Sequence, residues 1–202
     1  MSNTTHFDLA AKTWDTEETV KRNEVIAREI KKNLTNPIGR LMDFGCGTGL
    51  LTSHFINMAH ELVGIETSLG MLDQYHERFK NVTKVTSLAM NIENESLPTT
   101  IGSFDAIITA MAFHHLKNPE QVLRVFKNHL NINGQIFIID LDEEDGSFHP
   151  DNKGMGVYHF GFSKNKFESW FRDLGFKSFK HETVFQIFKN NRTYNVCMGI
   201  FE

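Results

Sequence analysis

The chain is poor in cysteine, with only Cys46 and Cys197 among 202 residues. Two cysteines cannot make a disulfide framework, and a reduced, cytoplasmic setting is expected. Long apolar runs are missing too: no window reaches the ~18 uninterrupted apolar residues of a membrane-spanning helix. The opening MSNTTHFDLAAKTWD has no basic start followed by an apolar stretch, so no secretory leader is expected. Nor is there a basic excess, since 21 Lys and Arg against 25 Asp and Glu leave a net charge of −4. A chain that coats phosphate backbones would carry the opposite balance, so nucleic acid is not an expected partner. Prolines number only 4, and there is neither an internal repeat nor a low-complexity segment. What remains is 40% hydrophobic and 23% charged, the composition of one globular domain spanning 1–202. No feature of the sequence specifies an oligomeric state.

What is present is an alternation of strand-like and helix-like segments, the pattern of a parallel sheet covered on both faces. Asp15 with Glu18 predicts the start of a helix bearing Ile26, Ile30 and Leu34, stopped by Pro37. Strands are predicted at 40–44, 61–66, 82–88, 103–110 and 134–141. Helices are predicted at 49–58, from a Ser68 cap to Phe79, and from Asn118-Pro119 with Val122, Val125, Phe126 and Leu130 inward. A further helix, capped by Ser163 and closed by Gly175, buries Phe167, Trp170, Phe171 and Leu174. Residues 182–201 alternate around Asn190-Asn191 and read as a hairpin, so one terminal strand must run antiparallel.

The first strand ends in LMDFGCGTGLL, at the carboxyl edge of the sheet where open α/β folds bind ligands. The spacing is Asp43-x-Gly45-x-Gly47-x-Gly49, not the G-x-G-x-x-G of a dinucleotide loop. No Lys-Ser/Thr pair follows for a phosphate loop. Asp43 would repel phosphate. A ligand with a cationic end and a nucleoside end fits better.

DFGCGTG resembles the first motif of the class I S-adenosylmethionine-dependent methyltransferases, and the resemblance continues over nearly the whole chain. It implies a Rossmann-like, seven-stranded, mostly parallel sheet with helices on both faces and a C-terminal antiparallel hairpin. S-adenosyl-L-methionine is the implied cofactor. The loop residues Asp43, Gly45, Cys46, Gly47 and Gly49 would lie against it, and Glu66, with Thr67 beside it, would hold the ribose hydroxyls through two carboxylate oxygens. LAMNIENESLP is similar to the family's stretch after the third strand, placing Asn91 and Ile92 at the adenine. Asn91 stands where the family has Asp and can still accept the amino group. FDAIITAMAFHHL implies that Thr109, Ala110 and Met111 border the methionine portion. FDLAAKTWD is similar to the family's N-terminal segment, so residues 1–35 would form a helical lid with Trp14 near the sulfonium.

Methyl transfer from sulfonium is an in-line displacement needing alignment and exclusion of water, with a base only where the acceptor carries a proton. Candidate bases on the cleft side are His114, Asp142, His149 and His159, and Phe113, Phe148, Phe160 and Phe162 are expected to make an apolar acceptor wall. No Asn/Asp-Pro-Pro-aromatic motif of base-amine methylation follows the fourth strand, and no cysteine is placed for cytosine chemistry. The expected acceptor is a small molecule, as in the similar quinone-biosynthesis methyltransferases; the alternative is a non-catalytic cofactor-binding module acting through a protein partner. The acidic loop 140–149 has Asp145 where a calcium loop needs glycine, so no metal is expected there.

Overall fold

A computed structural model describes residues 4–202, with residues 1–3 of the expected lid outside the described part. Seven strands form one sheet: β1 (Ile38–Phe44), β2 (Ala59–Glu66), β3 (Val85–Ala89), β4 (Phe104–Ala110), β5 (Leu130–Leu141), β6 (Phe179–Lys189) and β7 (Arg192–Phe201). Their spatial order is β3-β2-β1-β4-β5-β7-β6. All neighbours are parallel except β5 with β7 and β7 with β6. The expected Asn190-Asn191 turn joins the last two, both residues at positive φ (53° and 57°), as a tight hairpin turn requires. The chain runs outward from β1 to β3, then returns to place β4 on the other side of β1. Connections leaving β1 and β4 therefore diverge, and a crevice opens at their carboxyl ends.

The strands sort their side chains by parity. Met42, Val63, Ile107, Ile136 and Ile138 face one core, covered by α5 (Pro119–Asn128) and α6 (Lys164–Leu174) through Val122, Phe126, Phe167 and Trp170. Leu41, Leu62, Ile108, Phe137 and Ile139 face the other, covered by Ile26, Ala27 and Ile30 of α2 (Glu17–Asn33). Two short elements complete the part that matters here, α1 (Thr5–Ala10) and α3 (Leu50–Ser53), with α4 (Leu69–Phe79) beside them. Ser68 and Asn118 cap α4 and α5 as predicted, accepting from the N–H groups of Met71 and Gln121. Gly175 ends α6 in the left-handed region.

Several local expectations differ. The α2 cap is Thr16, whose hydroxyl accepts from the Thr19 N–H; Asp15 is drawn away by other partners. The helix expected over 49–58 closes after one turn at Ser53. The third strand begins at Val85 instead of residue 82, and Leu130 starts β5 instead of ending α5. Ser163 occupies the cap position of α6 without a side-chain bond. Among the described residues no helix is long and apolar enough to cross a membrane.

Candidate active site

The crevice holds a cavity of about 660 Å³. Asp43, Gly45, Cys46 and Gly47 at the end of β1 line it, with Glu66 and Thr67 after β2, Asn91 and Ile92 after β3, and Ala110 and Met111 after β4. Trp14 lines it from the N-terminal side. Two expected members do not face it. Thr109 is fully buried within β4, and Gly49 turns away into packing: at φ +84° a Cβ there would come within 2.4 Å of the Phe79 ring.

The glycine turn is held from both sides. The N–H groups of Gly45 and Cys46 donate to the Ile65 carbonyl at the end of β2, at 2.8 and 3.2 Å. A Cβ on Gly45 would sit 2.6 Å from that of Ala112, so only glycine fits between β1 and the start of the β4 loop. Glu66 is fixed by backbone donors, one oxygen accepting from Gly47 (3.0 Å) and the other from Thr67 (2.7 Å) and Ser68 (2.9 Å). Its carboxylate is thus oriented at the cavity mouth before any ligand arrives. Asn91 Oδ1 accepts from the Glu93 N–H at 3.0 Å and keeps one lone pair.

Asp43 is 1% exposed and accepts from the Thr52 hydroxyl at 2.5 Å. Burial pushes its carboxyl up to about 7, and the nearby Glu66 charge adds to the rise. Burial first, then the Asp43 charge, raises the Cys46 thiol well above the ordinary range, which disfavours a nucleophilic thiolate. Burial of Cys197 likewise raises its thiol, to about 11.

The N-terminal segment covers this cleft. Asp8 accepts from Ser68 Oγ (2.6 Å) and the Gly70 N–H (3.0 Å) at the start of α4. Asp15 accepts from Thr48 Oγ1 (2.6 Å) and pairs with Arg78 near the end of α4. Trp14 meets Phe7 edge-on at 5.8 Å, and Phe7 meets His115 at 5.1 Å.

A second cavity of about 320 Å³ adjoins the first, sharing Phe7, Trp14, Arg22, Met111, His115 and Met155 with it. His114 and His149 line the second alone. His114 is 1% exposed, and its Nδ1 lies 2.6 Å from Asp140, a buried carboxylate at the carboxyl end of β5. Burial drives the Asp140 carboxyl up, but His114 and two backbone donors outweigh it and hold it below the ordinary range. His115, on the wall common to both cavities, is pushed down to about 3 by burial and by His114. The same two influences, with Lys189, lower His149 to about 4.

Of the four candidate bases, then, only His114 and His149 come together. Asp142 instead lines neither cavity and accepts from the Glu143 N–H, because β5 carries it past the cleft edge. His159 stacks on Phe162 (5.2 Å) behind the β4 turn, where its N–H donates to the His114 carbonyl. The expected phenylalanine wall is also corrected. Phe113 and Phe162 pack in the core, Phe160 is partly exposed, and only Phe148 borders the second cavity. Phe7, Trp14, Met111, Met155, Ile187 and Phe188 supply the rest of the apolar lining of that second cavity.

The residues absent from the sequence-based set are Arg22, Asp140 and His115. Arg22 projects from α2 toward both cavities, and burial lowers its pKa against the pull of Glu18. Asp140 carried a readable signal, an acid inside the otherwise apolar run IFIIDL, which must find a partner.

Residues 42–136 match a family described as a methyltransferase domain. The chain is 34% identical over 133 residues to an uncharacterised methyltransferase of Schizosaccharomyces pombe, covering 60% of this chain and 47% of that one. It is 27% identical over 145 residues to a malonyl-[acyl-carrier protein] O-methyltransferase of Anoxybacillus flavithermus (71% and 53% covered). The chain spans about half the length of the first curated relatives it matches. Among solved structures, the DhpI–SAH complex superposes with a TM-score of 0.74 at 14% identity, covering 98% of this chain and 94% of that one.

Proposed function

We propose that the chain is a class I S-adenosylmethionine-dependent methyltransferase, a reading supported by the methyltransferase-domain match over residues 42–136 and the 34%-identical relative, and that it transfers the cofactor's methyl group to a small molecule seated in the second cavity. The observation that supports this reading is the shared wall: two cavities meet at Met111 and His115, as a donor site and an acceptor site must. A module that only binds the cofactor has no use for the smaller cavity.

In this reading Glu66 accepts from the ribose hydroxyls and Asn91 and Ile92 receive the adenine. Asp43 faces the cationic methionine end, and Arg22 pairs with a carboxylate of the cofactor or acceptor. The bound cofactor supplies a methyl group on positively charged sulfur. The protein's part is to align the acceptor with it, exclude water under the cover formed by residues up to about 35, and take up the acceptor's proton. His114, oriented by Asp140, and His149 are the groups placed for that last role. The small volume and the net charge of −4 fit a soluble metabolite better than a nucleic acid. Two free, buried cysteines fit a reducing compartment such as the cytoplasm.

Turnover of methyl-labelled cofactor against a panel of small thiols, hydroxy acids, phenols and amines tests the proposal. Label in a small product supports it. Label confined to added protein or nucleic acid, or cofactor binding with no turnover anywhere, refutes it.

A further inference from the structure

Around the second cavity, His114, His115 and His149 each present one ring nitrogen within 4.8 Å of the other two. No metal was expected in this chain, yet this grouping joins two histidines of the turn after β4 to His149 of the acidic loop. Three features separate it from an ordinary packed histidine cluster.

First, the outer nitrogens are already engaged. His114 Nδ1 lies 2.6 Å from the Asp140 carboxylate, and His115 Nδ1 lies 3.2 Å from the Gly156 carbonyl. Carboxylate and carbonyl oxygens only accept, so each Nδ1 is a donor there, and Nε2 is the nitrogen left over for a ligand. Second, His114 Nε2 and His149 Nδ1 are buried with no hydrogen-bond partner, an uncompensated cost in a packed protein. Third, the ring centroids lie 4.1, 5.0 and 5.9 Å apart. Imidazoles bound tetrahedrally at about 2.0–2.1 Å from zinc have centroids roughly 5 Å apart, so modest ring rotations bring the three nitrogens onto one ion. A carboxylate behind one ligand and a backbone carbonyl behind another are the usual outer supports of metal-bound histidine.

We propose that His114, His115 and His149 bind one divalent ion of the zinc class, with its fourth position open to the second cavity. This deepens the proposed function, with metal-bound hydroxide taking the acceptor's proton in place of His114 and His149 as bases, and rests on it for one point, that the acceptor occupies that cavity. An acceptor thiol or hydroxyl takes the open position by displacing bound hydroxide, which leaves as water with the acceptor's proton. The acceptor's lone pair then forms the new bond to the methyl carbon, while the old C–S pair stays on sulfur as a neutral thioether.

The test uses the full chain, with Co²⁺ as the visible probe and Zn²⁺ as competitor. One Co²⁺ per chain with intense tetrahedral absorption, displaced by Zn²⁺, is expected. His149→Ala and His114→Ala should each weaken uptake by about 100-fold, and Asp140→Asn, a positioning change, by about 10- to 100-fold. Calorimetry with S-adenosylhomocysteine shows whether each variant is folded. His149→Ala lies outside the cofactor cavity and should keep that affinity. Weak, octahedral-type or absent cobalt uptake by the wild type, or wild-type uptake by His149→Ala, overturns the site. The titration needs neither cofactor nor acceptor, so the proposed function can fail while this result stands, and the reverse.

Discussion

Replacing Asp43 by Asn should make the protein more stable and, at the same time, poor at holding its cofactor. The carboxyl is held at about 7 in the fold, against an ordinary value of 3.8. A raised value means that folding favours the protonated form. The group's stabilising contribution is complete below about pH 3.8 and is lost progressively as pH rises to about 7. The loss is about 2 kcal/mol at pH 5 and about 4 kcal/mol at pH 8, from roughly 1.4 kcal/mol per unit of pKa difference. Asparagine keeps an oxygen for the Thr52 hydroxyl but never ionises. Its stability advantage over wild type should therefore grow by about 2–3 kcal/mol between pH 5 and pH 8. For a chain of this size that is a Tm difference widening by roughly 5–10 °C. Thermal scans at the two pH values, on protein stripped of cofactor, measure it. Isothermal calorimetry should show S-adenosylhomocysteine binding weakened in Asp43→Asn, and wild-type affinity rising with pH through 7 as the carboxylate forms opposite the ligand's ammonium. A Tm gap independent of pH would refute the burial argument, and undiminished affinity would refute the assignment of Asp43 to the cationic end.

Three further outcomes are expected. Glu66→Ala removes the acceptor assigned to the ribose and should cost about 1.5–3 kcal/mol, roughly 10- to 100-fold in S-adenosylhomocysteine affinity by calorimetry. Asp15→Ala releases Thr48 and Arg78 and should raise the KM for the cofactor several-fold with a smaller change in kcat, since these partly exposed contacts hold the cover by about 1 kcal/mol. Gly49→Ala forces a side chain at φ +84° against Phe79 and should destabilise the fold by about 2–5 kcal/mol in urea titration, more than the same change at Gly47, where a Cβ meets nothing.

The sheet was legible because its signals are local and redundant. Buried strands such as SFDAIITA and GQIFIIDL are apolar on both faces, and Asn190-Asn191 announces its own turn. The cofactor loop was legible for the same reason, since spacing and backbone conformation decide it. Failures came where tertiary partners outbid a local preference. Asp15 looks like a cap, but Thr48 and Arg78, 33 and 63 residues away, claim it. The side cavity was the least readable part, because a pair far apart in sequence makes it, His114 of the turn after β4 and Asp140 of β5, and no sequence period encodes which histidine of His114-His115 turns inward. Three glycines in a row of alternate positions looked equivalent. Two meet the ligand site and the third serves the packing of α4.

The two carboxylates that tie the N-terminal segment to α4 sit near opposite ends of that helix, Asp8 at Ser68 and Asp15 at Arg78. Both are anchored to groups that solvent could replace, unlike the apolar cores beneath the sheet. These two attachments, one near each end of α4, are the fasteners of the segment. Hydrogen bonds from Ser68 and Gly70 hold the Asp8 carboxyl below its usual range, so that fastener survives mild acid and yields only at lower pH. The Asp15–Arg78 pair, with both side chains partly exposed, is the salt-sensitive one of the two.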